Sequence, residues 1–118
     1  MDSSANQSSR SARRAIARQA RDTFPPVGIY AIRDHASGRL LLGASHNVHA
    51  ALNRARFELR MGTHTDRVLQ AEWNRRGADG LAFEVLELVK ERDDADFDYA
   101  SELKALEQIH RELQGLAP

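Results

Sequence analysis

The chain has 118 residues, 42% of them hydrophobic and 29% charged, which is the composition of one folded domain rather than of a disordered chain. It contains no cysteine, so disulfide staples, thiolate zinc sites and cysteine nucleophiles are excluded. No apolar run is long enough to span a bilayer, and the Ser- and Arg-rich N-terminus lacks the apolar centre of a secretory signal, so a cytoplasmic protein without membrane contact is expected.

The formal net charge of zero conceals an asymmetry. Residues 1–25 carry five Arg and two Asp, and residues 26–90 carry nine basic and seven acidic side chains. Residues 91–118 carry three basic and eight acidic, a net of −5. Fifteen of the seventeen basic residues are Arg, the better fork for phosphate.

Residues 1–24 read as a disordered or partly helical basic arm, and residues 25–118 as the folded domain. Pro25-Pro26 breaks any helix and opens that domain. Residues 27–33 (VGIYAIR) are rich in Val, Ile and Tyr and predict a strand. His35-Ala36-Ser37-Gly38 predicts a turn, and residues 39–43 (RLLLG) a return strand. Ser45 or Asn47 then caps a helix from about Val48 to Met61, in which the apolar positions Val48, Ala51, Leu52, Ala55 and Leu59 recur at steps of three and four. Gly62-Thr63 ends it. A second helix is expected from Asp66 to Arg75, burying Val68, Leu69 and Trp73, with Gly77 at its C-terminus.

Residues 82–89 (AFEVLELV) predict a third strand with Glu84 and Glu87 toward solvent. An acidic loop spans 91–98. The last helix runs from about Tyr99 to Gln114, with Leu103, Leu106, His110 and Leu113 on a buried stripe. The fold class is therefore α+β: a three-stranded antiparallel sheet flanked by helices.

These residues resemble a known family. Gly28-Ile29-Tyr30, a short turn and Leu41-Leu42-Gly43 resemble the paired motifs of the GIY-YIG nucleases. The likeness continues through Gly62-Thr63-His64, Leu69-Gln70, Trp73-Asn74-Arg75, Gly77 and Phe83-Glu84-Val85-Leu86-Glu87, as in homing-type members. It covers residues 28 to about 113. What it implies is metal-assisted hydrolysis of a DNA phosphodiester, using Mg²⁺ or Mn²⁺.

Such chemistry needs positive charge on the phosphate and a group that handles the proton of the attacking water. By resemblance, Tyr30 is the proton relay and Glu107 the metal ligand. The second motif Tyr falls on Leu41, and the helix Arg on Ala51. Arg54, one turn along the same helix, is the replacement expected at the phosphate. Arg56 and His64 are further expected nucleic-acid contacts, Arg56 the weaker because it lies off the Arg54 face. With two central groups replaced, the resemblance implies a domain that binds the DNA backbone, helped by a protein partner that supplies specificity. An active metal-dependent endonuclease and a protein-interaction domain without a nucleic-acid role stay open on the residues alone.

Among the other polar residues, His46 and His49 stand three apart, a spacing that binds metal on a helix. Without a carboxylate nearby in sequence, separate surface histidines are the plainer expectation. His110 reads as a satisfied, partly buried histidine. Trp73 and Asn74 read as packing and capping residues of the second helix.

Overall fold

The computed structural model describes residues 24–116. The expectation of a disordered or partly helical arm over 1–24 lies outside the described residues, apart from Phe24. Strand β1 (Gly28–Asp34) is central, with β2 (Leu40–Ser45) and β3 (Leu81–Leu88) antiparallel on either side of it. Three helices complete the domain: α1 (Val48–Met61), α2 (Arg67–Arg76) and α3 (Tyr99–Leu113). A 3₁₀ turn over Gly77–Gly80 joins α2 to β3.

The strands alternate, and each face of the sheet has its own core. On one face, Ile32 and Leu81 pack with Leu52, Ala55 and Leu59 of α1 and Leu69 of α2. On the other, Val27, Ile29 and Leu42 pack with Leu103 of α3. Helices α1 and α2 thus cover one side and α3 the other. The charge asymmetry of the chain becomes a spatial one. Residues 46–80, on the α1/α2 side, carry six Arg against four acidic groups, while residues 91–116, on the α3 side, carry eight acidic against three basic.

Local chemistry explains the boundaries. Asn47 caps α1, its side-chain oxygen accepting from the Ala50 N–H, while the Ser45 hydroxyl accepts from the Asn47 N–H one step earlier. Gly62, at φ 76°, ends α1: its N–H reaches the Leu59 carbonyl and Thr63 N–H the Glu58 carbonyl. The same double bond pattern closes α3 at Gly115, where Gly115 N–H reaches Glu112 and Leu116 N–H reaches Arg111.

That closure corrects one expectation. Leu113 does not join the buried stripe; it is 73% exposed. The chain turns back at Gly115, and Leu116 packs against the core instead. In α2, Val68 is likewise exposed, and the buried positions are Leu69 and Glu72 with Trp73 half-buried. Leu69, Glu72 and Trp73 follow the three-and-four rhythm, and Val68 lies a hundred degrees off it. Glu72 is tied to Arg75 and Arg76 at 3.3 and 3.2 Å, which lets a carboxylate occupy a core position. Glu84 is not free in solvent but accepts from Arg33 at 3.2 Å. His110 is satisfied as expected, its Nε2 lying 2.7 Å from Glu87. Asn74 accepts from Gln70, which also ties back to the Leu59 carbonyl and so joins α2 to α1.

Candidate functional site

Two glycines shape the site through what they lack. At Gly28, an added Cβ would collide with the Glu87 carbonyl of β3, because the two strands close tightly beside a register shift between Ile29 and Tyr30. The shift leaves Leu86 as the extra residue of β3, and such bulges re-aim neighbouring side chains. At Gly43, opposite Tyr30 in β2, an added Cβ would lie 2.5 Å from both Cζ and the hydroxyl of Tyr30. The phenol ring therefore lies across the bare backbone of Gly43, and its hydroxyl reaches toward the β2 edge.

There it enters a groove of about 740 Å³ between β1, β2, α1 and the loop before α2. Tyr30, Arg54 and His64 all line it, so three of the five expected site residues share one cleft. Leu41 and Ala51 line the same cleft: an apolar side chain and a methyl stand where the family resemblance puts a phenol and a guanidinium. Arg54 is largely exposed and touches Glu58 at 3.5 Å, one helical turn on. His64 is fixed from below. Its Nδ1 accepts from the Asp66 N–H at 3.0 Å, which sets the neutral tautomer with Nε2–H as the remaining donor, and its own N–H donates to Gln70.

Arg56 is not at the groove. Its guanidinium stacks 4.3 Å above the Phe83 ring on the far side of α1 and donates to Asn53, so it is a packing residue of β3. His46 and His49 are also parted: His46 lines the groove, whereas His49 lines a separate cleft with Phe24 and Leu88. They form no metal pair.

Glu107 approaches from α3, on the other side of the sheet. It is not part of the groove wall, but its carboxylate is near enough to act on the phenol. Burial raises the Tyr30 pKa above its ordinary value, and the negative charges of Glu107 and then Glu58 raise it further. A phenol so placed stays protonated at neutral pH and is available as a hydrogen-bond donor. It is not the depressed, base-like tyrosine that proton abstraction calls for.

Each of the two carboxylates carries an arginine from its own helix. Arg111 reaches Oε2 of Glu107 through Nε and NH2 at 3.3 and 3.2 Å, an i,i+4 pair like that of Arg54 and Glu58. Sequence reasoning missed Arg111, although the i,i+4 spacing to Glu107 was its signal. It also missed His46 and Glu58 as groove residues; His46 had been considered only as a partner of His49.

The resemblance implies Mg²⁺ or Mn²⁺ at Glu107. A hydrated Mg²⁺ is held by one or two carboxylates with substrate phosphates. Here Oε2 of Glu107 is already taken by Arg111, a cation of the protein's own. Among the described residues no cluster of three or more His, Asp or Glu side chains is positioned to hold an ion. As arranged, the donors do not fit a resident dication.

Among the described residues, no helix is long and apolar enough to cross a membrane. Neither protein-family models nor curated protein sequences match the chain. Solved structures do. The catalytic domain of the homing endonuclease I-TevI superimposes with a TM-score of 0.58, covering 75% of this chain and 88% of that one at 19% identity. A glutamate-to-alanine mutant of the same intron endonuclease domain gives 0.58, with 75% and 84% coverage at 17% identity. The chain thus has the fold of a GIY-YIG endonuclease catalytic domain.

Proposed function

We propose that this domain binds the phosphodiester backbone of DNA in the Tyr30 groove and does not cleave it efficiently. One observation carries the reading: Tyr30, Arg54, His46 and His64 line a cleft on the basic side of the sheet whose wall also holds Leu41 and Ala51. The first four supply hydrogen-bond donors and charge for a phosphate. The last two offer nothing to the charge that develops in hydrolysis, and one such stabilising group is worth about 10²–10³ in rate. Phosphate contacts carry no base information, so a protein partner that supplies sequence selectivity belongs to this proposal, as does a cytoplasmic location.

The test is an assay of the purified protein on supercoiled plasmid and on single-stranded DNA, each with Mg²⁺, Mn²⁺ or EDTA, with Glu107→Ala alongside. The expected result is salt-sensitive binding with no nicking above background. A second reading, a working metal-dependent endonuclease with Glu107 as ligand, draws support from the electrostatic reach between Tyr30 and Glu107. Metal-dependent nicking that disappears in Glu107→Ala would replace the first reading with this one.

A further inference from the structure

We propose that the Tyr30 groove takes single-stranded DNA, with an unstacked base on its apolar floor, in preference to a duplex. The inference rests on the binding reading above and adds to it the form of the nucleic acid.

The groove combines two kinds of surface. Its floor is apolar: Ile32 and Ala55 are buried beneath it, and Leu41 and Ala51 are half-buried in its wall. Leu41 stands opposite Ile32 in the β1–β2 ladder, so both side chains lie on the face of the sheet that α1 covers. Ala51 and Ala55 are one turn apart on α1 and close the floor from the helix side. Where the family resemblance puts a phenol and a guanidinium, the groove has apolar surface and open room.

Polar groups stand around that floor. His64 offers its Nε2–H, and Asn47, whose side-chain oxygen takes the Ala50 N–H, offers its amide NH2. Tyr30 and Arg54 add a phenolic donor and an exposed guanidinium. Glu58, the only carboxylate in the lining among the described residues, is tied to Arg54. At about 740 Å³ the space falls in the range of small-molecule and cofactor pockets, and exceeds what a lone phosphate contact calls for. An apolar floor with a few directed polar groups suits a nucleotide. The base covers the floor, while its edge, the sugar and the phosphate meet the rim.

A duplex cannot use such a floor. Its bases are paired and stacked, so it presents only phosphates, sugars and groove edges. A single strand can turn a base out of the stack and lay it on the protein. The apolar contact then adds to the phosphate contact for the single strand alone, whereas Arg54 serves both forms.

Fluorescence anisotropy of the full chain, in EDTA and at one salt concentration, would compare three labelled ligands of roughly 12 nucleotides per strand. These are a single strand, its duplex, and the same strand with abasic sites throughout. The intact strand should bind about tenfold or more tightly than either of the others, a step that stacking of one base supplies. Ala51→Leu, which fills the floor without changing charge, should bring the intact strand down to the level of the duplex. Arg54→Gln should weaken all three ligands. Circular dichroism melts check folding, and if Ala51→Leu fails to fold the abasic strand carries the test, since it alters only the ligand. The inference is overturned, with the binding reading intact, by a duplex or an abasic strand bound as tightly as the intact strand. A single-strand preference that survives in folded Ala51→Leu does the same. No binding of any of the three at low salt overturns both.

Discussion

Replacing Gly43 with alanine should destabilise the protein by about 1–3 kcal/mol, the usual cost of forcing an extra methyl into a packed contact. The added carbon would lie 2.5 Å from Tyr30 Cζ and hydroxyl oxygen and 2.9 Å from Cε1, against an ordinary contact beginning near 3.4 Å. The ring must retreat by roughly 0.9 Å, the difference between 3.4 and 2.5. The backbone offers no other objection, because Gly43 is not among the positive-φ glycines. The cost therefore belongs to the ring alone, and a double-mutant cycle exposes it. In a Tyr30→Ala background the same Gly43→Ala change should stabilise, by about 0.4–1 kcal/mol, through the lower entropy of the unfolded chain. Urea unfolding of the four proteins, monitored by circular dichroism, measures both numbers. A Gly43→Ala penalty that persists at full size without the Tyr30 ring would refute the argument that the second motif glycine exists to seat the first motif tyrosine.

Three further outcomes follow from the same structure. Glu72→Ala should cost about 1–3 kcal/mol, whereas Glu72→Met should be close to neutral or stabilising, because a buried carboxylate held by two half-exposed arginines returns little of its desolvation; urea midpoints decide. The Tyr30 phenol should titrate above a free tyrosine, by NMR of labelled tyrosine, and Glu107→Gln should bring it down; since its folded pKa is raised, its contribution to stability is present below about pH 10 and lost as pH rises through the folded value. At the other end of the scale, the Ser37 hydroxyl and the Ala36 and Ser37 amides hold Asp34 below the usual carboxylate range, and Arg39 with the Leu69 and Val68 amides does so for Asp66 against an opposing burial effect. Folded pKa values below the unfolded one mean stability present above about pH 4 and lost as pH falls through the folded values, so unfolding midpoints should hold from pH 7 to about 5 and drop beneath 4, less steeply in Asp34→Asn.

The elements were legible because local signals agreed with tertiary needs. Asn47, Gly62 and Gly77 did at the helix ends what their chemistry favours, and α1 came out at the expected residues. The failures arose where a side chain's fate depended on something distant in the fold. Leu113 has the spacing of a core residue, but the turn at Gly115 hands its role to Leu116. Glu72 has the character of a surface residue, yet two arginines on its own helix carry it inside. At the site, the motif residue Tyr30 and the replacement arginine Arg54 were recognisable one by one. The sign of their environment was not: burial of the phenol, with the charge of Glu107 adding to it, makes Tyr30 a stubborn donor rather than a base. Arg111 and His46 carried no motif at all and became visible only by position.

The claim that matters most is that the Tyr30 groove holds nucleic-acid phosphate. Anisotropy of a labelled duplex titrated with the full chain in EDTA, at several salt concentrations, tests it most directly, with Arg54→Gln as the comparison. The account predicts binding that weakens steeply with salt, and a slope reduced by about 0.9 in Arg54→Gln. Binding with the wild-type slope in Arg54→Gln, or no binding even at low salt, would contradict it.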